Sequence, residues 1–201
     1  MNKKTFNDTF ETKKGLIVNT RPITSEDAPY LVDIFEHMSA ESRYNRFLQT
    51  ADHVDMDRIW TEAEKIADIS QDNCSGYLAF ADLPGHPNAP VGGARYIKIS
   101  STQAEIAVSV RDDMQNMGIG THLLSMLVRS ALDDGVEQLV GTIENNNAPM
   151  WAMLKKLGHR LERQPEGNYS VVIIHIQETG SRLQDLLDTA ADFSPEPQII
   201  W

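Results

Sequence analysis

The chain has 201 residues, with 29 Asp and Glu against 18 Lys and Arg for a formal charge of -11; that length suits one domain with tails and a sizeable core. The acidic balance argues against non-specific nucleic-acid binding, which rests on basic surface, and suits a basic partner such as an amine. A single cysteine, Cys74, rules out an internal disulfide and fits a reducing compartment, while no apolar run approaches the roughly 18 to 20 residues that span a bilayer, so a cytoplasmic protein with no membrane partner and no signal peptide is expected.

Residues 1–14 are polar, with Lys3, Lys4, Lys13 and Lys14 around Phe6 and Phe10, and read as a flexible arm. Leu16 to Arg21 alternates as a first strand, which Pro22 breaks. Thr24 or Ser25 then predicts a helix cap, with Glu26 and Asp27 in the first turn, where a helix N-terminus favours negative charge. Leu31, Ile34, Phe35 and Met38 would form that helix's buried face. A second helix is expected from Ser39, carrying Tyr44, Phe47 and Leu48. A third is expected over 52–69, with Met56, Ile59, Trp60, Ala63, Ile66 and Ala67 spaced for one face.

Gly76 to Leu83 returns to a strand pattern. Pro84-Gly-His-Pro-Asn-Ala-Pro90 reads as a turn-rich connection that cannot continue a ladder. Val91 to Ser100 and Thr102 to Val110, separated by a short turn, predict an antiparallel hairpin. In the second of these strands Ile106, Val108 and Val110 share one face, and Glu105, Ala107 and Ser109 the other. Arg111 to Met117 is a polar loop. From Ile119, apolar residues recur as Leu123, Leu124, Leu127, Val128 and Ala131, the spacing of an amphipathic helix. The junction carries Gln115-x-x-Gly118-x-Gly120, so side chains are missing where helix N–H groups are unpaired and an anion can be held. A nucleotide-hydrolase phosphate loop is excluded because Thr121-His122 follows Gly120, and two glycines fall short of a dinucleotide fingerprint; taken alone they also suit an ordinary tight entry to a helix.

The helix is expected to stop at Asp133-Asp134-Gly135. A short strand over 138–143 follows, then a helix from about Ala148 to Leu157 closed by Gly158. Arg160 to Arg163 and Tyr169 to Gln177 read as a last strand pair. In the tail, Ser181-Arg-Leu-Gln184 is a capping box, and Leu183, Leu186, Leu187 and Ala190 share a face of a short acidic helix. The apolar end Ile199-Ile200-Trp201 suggests docking on the chain's own domain or on a second copy, as a homodimer, while the tail's Pro and acid content suits disorder equally. The domain layout expected is therefore a flexible arm over 1–14, a single folded domain over 15–178, and an acidic helix with an apolar tail over 179–201.

Three segments in this order resemble the GNAT acetyltransferase superfamily: the strand ending Val108-Ser-Val110, followed by Gln115-x-x-Gly118-x-Gly120; Asn147-Ala-Pro-Met150 with Leu157-Gly158; and an upstream part. That part comprises Arg21-Pro-Ile-Thr-Ser-Glu26-Asp27 and Ser39-Ala-Glu41-Ser42-Arg-Tyr44-Asn-Arg46-Phe47, and is similar to the Pat-type protein lysine acetyltransferases. The resemblance implies an α/β (α+β) class GNAT fold, a mixed, mostly antiparallel central sheet of about seven strands with helices on both faces. It implies acetyl-CoA as co-substrate. Backbone N–H groups of Gln115, Asn116, Met117, Gly118, Ile119, Gly120 and Thr121 would hold its pyrophosphate. Val108, Ser109 and Val110 would bond its pantetheine arm along a strand that in the resembled fold carries a bulge and splays from its neighbour. Asn147 would either cap its helix or contact the cofactor.

Glu105 matches the general base of the Pat-type enzymes and lies beside small residues on an open strand face. Many GNAT enzymes have a tyrosine acid where this chain has Leu154, and His159 stands where an aromatic is usual. A thiol with a pKa near 8.5 still leaves tolerably as a thiolate. The six histidines show no metal spacing, so no metal is expected. The implied activity is acetyl transfer from acetyl-CoA to a primary amine. A protein lysine is the first acceptor considered, with a small-molecule amine or a non-catalytic acyl-CoA-sensing module as alternatives.

Overall fold

A computed structural model of the chain describes residues 7–47, 55–68 and 73–179. Along the chain run β1 (Asp8–Glu11), β2 (Ile17–Pro22), α1 (Ala28–Glu36), α2 (Ala40–Phe47), α3 (Met56–Ala67), β3 (Cys74–Leu83), β4 (His86–Lys98) and β5 (Gln103–Val110). A 3-10 turn (Asp112–Met114) leads to α4 (Ile119–Asp133), β6 (Gln138–Glu144), α5 (Ala148–Leu157), β7 (His159–Glu166) and β8 (Tyr169–Thr179). The strands form one sheet of eight in the order β1-β2-β3-β4-β5-β6-β8-β7. Every adjacent pair is antiparallel except β5 with β6.

Helix α4 supplies the core's thickest layer. Leu123, Leu124 and Leu127 recur at helical spacing, are completely buried, and pack with Tyr77, Leu139 and Ile174 from the sheet. Burying each such side chain contributes roughly 1.5–3 kcal/mol. The opposite face is covered by α1 and the residues after it, where Ile34 and Met38 pack on Leu78 and Phe80, and α3 packs on α1 in turn, with Val32 against Ala63 and Ala67. The alternation along β5 therefore sorts correctly, with Ile106, Val108 and Val110 packed toward the α4 core.

Several boundaries differ from the sequence expectation. Part of the expected arm is strand: Asp8–Glu11 pairs with Ile17–Thr20, because Phe10 finds a stacking partner in His122, ring centroids 4.1 Å apart, that lies over 100 residues away in sequence. This eighth strand takes the sheet beyond the seven expected. Helix α1 starts at Ala28, after Glu26 and Asp27. The Asp27 carboxylate does not charge the first turn but accepts from Arg21 Nη1 and Nη2 at 2.7 and 2.8 Å and from the Thr24 N–H at 2.7 Å. Residues 86–90 belong to β4, and only Pro84-Gly85 turns the hairpin. Register shifts after Ala79 and after Ala81 let Pro87 and Pro90 sit in a ladder they would otherwise break. Trp60 is exposed rather than shared with the buried face of α3. Strand β5 has no bulge; its register with β4 is unbroken from Lys98↔Ala104 to Gly92↔Val110. Leu48, positions 52–54, Ile69 and the tail from 180 onward, including the expected acidic helix and dimer contact, lie outside the described residues.

Candidate active site

The site grows from a gap in the sheet. Strands β5 and β6 pair only through Gln103↔Gln138, Ala104↔Leu139 and Glu105↔Val140. Beyond Glu105 they part, so Ile106 to Val110 keep β4 on one side and have no strand on the other. Alternate backbone N–H and C=O groups along that edge are open to an extended ligand. A cavity of about 690 Å³ fills the gap, lined by Glu105 to Val110, the first turn of α4, Gly141 to Ile143 of β6, and α5.

At the end of the gap the chain turns into α4 through two left-handed residues, Asn116 at φ 61° and Gly118 at φ 95°. The first intrahelical bond runs from His122 N–H to Gly118 O at 3.0 Å. The N–H groups of Ile119, Gly120 and Thr121 precede it and have no acceptor within the helix. Such a concave run of donors, reinforced by the helix dipole, suits a diphosphate. Gly120 leaves room for a close approach: a Cβ there would lie 3.0 Å from Met153 Sδ of α5, which would have to shift to admit it.

The loop before this turn is braced by carboxylates. Asp112 accepts from the Ser39 N–H at 3.1 Å, and its own N–H donates to His37 O. Burial would raise the Asp112 carboxyl, but hydrogen bonds from Ser39 and Ser42 prevail and hold it below its ordinary value. Buried Arg111 pairs with Asp113 at 2.9 Å and reaches Asp33 at 3.5 Å. The Gln115 amide donates to Ser42 Oγ, Asp112 Oδ1 and the Val110 carbonyl. The loop is thus tied to the α1–α2 junction, and one expected donor is lost: the Gln115 N–H bonds Asp112 O at 3.3 Å.

On the other face of β5, toward α2, stand Glu105, Ala107 and Ser109. Glu105 is exposed and lines the cavity. Half-buried Arg46 from α2 donates through Nε to Ser109 Oγ at 3.1 Å. Burial, with Arg95 beside it, pushes the Arg46 guanidinium down to about 10, and Glu105 pulls it back up, so it is cationic near neutral pH. Arg95 is also lowered, by burial against the pull of Cys74, Glu105 and Glu62.

Residues 33–159, more than half of the chain, match the acetyltransferase (GNAT) family. The chain belongs to the GNAT acetyltransferases. An acetyltransferase of Pseudomonas aeruginosa is 24% identical over 159 residues, covering 79% of this chain and 83% of that protein. Among solved structures, the GNAT domain of S. lividans PAT superposes with a TM-score of 0.72 at 21% identity, covering 84% of this chain and 96% of that one. YncA of Salmonella typhimurium, solved with its cofactor acetyl-CoA, gives 0.61 at 18% identity, with 82% and 96% covered. As a GNAT acetyltransferase the protein is an acetyl-CoA-dependent N-acetyltransferase, and its split sheet and donor-rich turn offer a thioester arm and a diphosphate the groups each requires.

The residues that the GNAT resemblance singled out converge here. Glu105, Val108, Ser109, Val110, Gln115, Asn116, Gly118, Ile119, Gly120, Thr121 and Asn147 all line the cavity, while the Met117 side chain is buried in the core. Asn147 caps α5, its Oδ1 accepting from Met150 N–H at 3.1 Å. Leu154, at 1% exposed, fills the core where a tyrosine is usual in GNAT enzymes, and His159 opens β7 outside the cavity lining. Arg46 and Asp112 were given no role from sequence. Arg46 stands in the Pat-type segment and Asp112 in a polar loop, and neither placement reveals that α2 folds back onto β5. Among the described residues no group of three or more His, Cys, Asp or Glu could hold a metal, and no helix is long and apolar enough to cross a membrane.

Proposed function

We propose that the protein moves the acetyl group of acetyl-CoA directly to a primary amine, a protein lysine side chain, with Glu105 as general base. The observation that carries this reading is the place of Glu105. It is an exposed carboxylate on the strand whose next residues have lost their β6 neighbour, so it stands where the thioester end of an extended donor would meet an acceptor. A lysine ammonium has a pKa of about 10.4 in water and must lose a proton before it can attack. Glu105 can take that proton directly or through water. An N–H from the open edge of β5 can meet the negative charge that grows on the thioester oxygen. Glu41, Glu105 and Asp112 line the α2 side of the cavity, and their charge favours approach of a cationic acceptor. Similarity of the upstream segments Arg21 to Asp27 and Ser39 to Phe47 to the Pat-type protein lysine acetyltransferases supports a protein as the acceptor.

The test is thiol release from acetyl-CoA on adding a panel of proteins and small amines, followed by the pH profile of Glu105→Gln. Response to proteins supports the lysine acceptor; response confined to low-mass amines overturns it. For the base, kcat should fall about 10²–10⁴-fold near neutrality, with the deficit shrinking as pH approaches the amine's own pKa. An unchanged rate at every pH would remove Glu105 from the mechanism.

A further inference from the structure

The cavity is divided by charge. On its α2 side the titratable residues are Glu41, Glu105, Asp112 and Arg46, whereas Lys13 and Lys156 are the lysines that line it among the described residues. Both belong to elements that touch the first turn of α4. Lys156 lies on α5 three residues after Met153, so the two share a helix face, and Met153 Sδ lies 3.0 Å from where a Cβ on Gly120 would be. Lys13 lies on the turn between β1 and β2. That turn is built rather than loose: buried Thr12 exchanges backbone bonds with Leu16 at 2.8 Å and with Gly15 at 2.9 Å, and its hydroxyl accepts from the Leu16 N–H at 3.0 Å. Strand β1 is in turn fixed to α4 by the Phe10–His122 stack and by Asp8, whose Oδ2 lies 3.7 Å from His122 Nε2. Two lysines on independent elements, both packed against one helix turn, therefore line the cavity in a chain of net charge -11.

Main-chain donors of that turn suit a diphosphate placed on the helix axis. Coenzyme A carries a third phosphate, on the ribose 3′ oxygen, farther out than the diphosphate and with two further negative charges. We propose that Lys13 and Lys156 together bind this 3′-phosphate, so that the protein discriminates acetyl-CoA from its 3′-dephospho form. Lys13 lies outside the family match over 33–159, on the N-terminal hairpin rather than in the matched segment. The proposal rests on acetyl-CoA as donor and is independent of the acceptor and of Glu105.

Calorimetric binding of acetyl-CoA and of 3′-dephospho-acetyl-CoA to the full chain tests it without any acceptor. Wild type should bind acetyl-CoA at least tenfold more tightly, with the gap narrowing at high salt as exposed charges are screened. Lys13→Ala and Lys156→Ala should each weaken acetyl-CoA by severalfold, leave the dephospho form unchanged, and together abolish the preference. Lys14→Ala, which removes a neighbouring charge that does not line the cavity, should leave both affinities unchanged. Equal weakening for the two donors, or none in the double variant, would overturn the proposal. An unchanged melting temperature in each variant separates loss of the contact from loss of the fold.

Discussion

Gly118 and Gly135 stand at opposite ends of α4, both left-handed, at φ 95° and 75°, and neither has any atom within 4 Å of where a Cβ would go. Gly→Ala at either place is therefore a purely conformational perturbation, costing about 1–2 kcal/mol for an L-residue held in that region. The two differ only in what their backbone serves. At Gly135 the strain has one outlet, native stability, and a chain of this size should lose about 2–4 °C of Tm per kcal/mol. At Gly118 there is a second outlet. The loop can relax, sparing stability but scattering the N–H groups of Ile119, Gly120 and Thr121, and acetyl-CoA must then restore the strained turn on binding. The whole 1–2 kcal/mol would then appear as about a 5–30-fold rise in Kd. The expectation is that for Gly118→Ala the stability loss and the binding loss sum to about the loss that Gly135→Ala shows in stability alone, with Kd unchanged in the latter. Thermal melts and acetyl-CoA titrations of both variants decide it. If Gly118→Ala leaves both quantities as in wild type, or Gly135→Ala weakens binding equally, the turn is not the diphosphate site.

Two further variants probe what holds the site in place. Asp27 is 2% exposed and paired with Arg21, which is 35% exposed. Burial would raise the Asp27 carboxyl, but the bonds from Arg21 and Thr24 prevail and keep it below its ordinary value. Its stabilisation is thus present above the unfolded carboxyl pKa of about 3.9 and fades as pH falls through the lower folded value. Asp27→Asn should lose about 3 kcal/mol at pH 7, the low end for a broken buried pair because Arg21 reaches water. In urea unfolding, its deficit against wild type should shrink toward pH 3. Tyr77, fully buried, hydrogen-bonds through its hydroxyl to Ser130 Oγ, itself on a residue 4% exposed. Tyr77→Phe should cost about 1–3 kcal/mol by orphaning Ser130, and adding Ser130→Ala should recover most of that. A double-mutant cycle with no coupling would show that the pair does not interact.

Much of this arrangement is legible in local pattern. The alternation of Glu105 to Val110, the Leu spacing of α4 and the glycine-marked ends of both late helices survive intact because burial and backbone sterics act within a few residues. What was not legible depends on partners distant in sequence. Asp27 reads as a helix-start acid until Arg21 claims it. Phe10 reads as part of a polar arm until His122 stacks on it. Arg46 and Asp112 become part of the site only because α2 meets β5 and the residue ahead of α2, Ser39, meets the 112–114 turn, through bonds spanning more than 60 residues. Pro87 and Pro90 misled in the other direction: residue type forbids a regular ladder, but two local register shifts supplied an irregular one.

The three residue pairs that alone join β5 to β6 also make the apoprotein mechanically a two-leaved object. One leaf is β1 to β5, the other β6, β8 and β7, bridged along the open side chiefly by the packing of α4 and α5. A ligand strand laid into that missing rung would stitch the leaves together from within. Occupancy should therefore be felt far from any ligand atom, as slowed amide exchange along the whole β6–β8 leaf, and the donor would act as a removable piece of the architecture as well as a reactant.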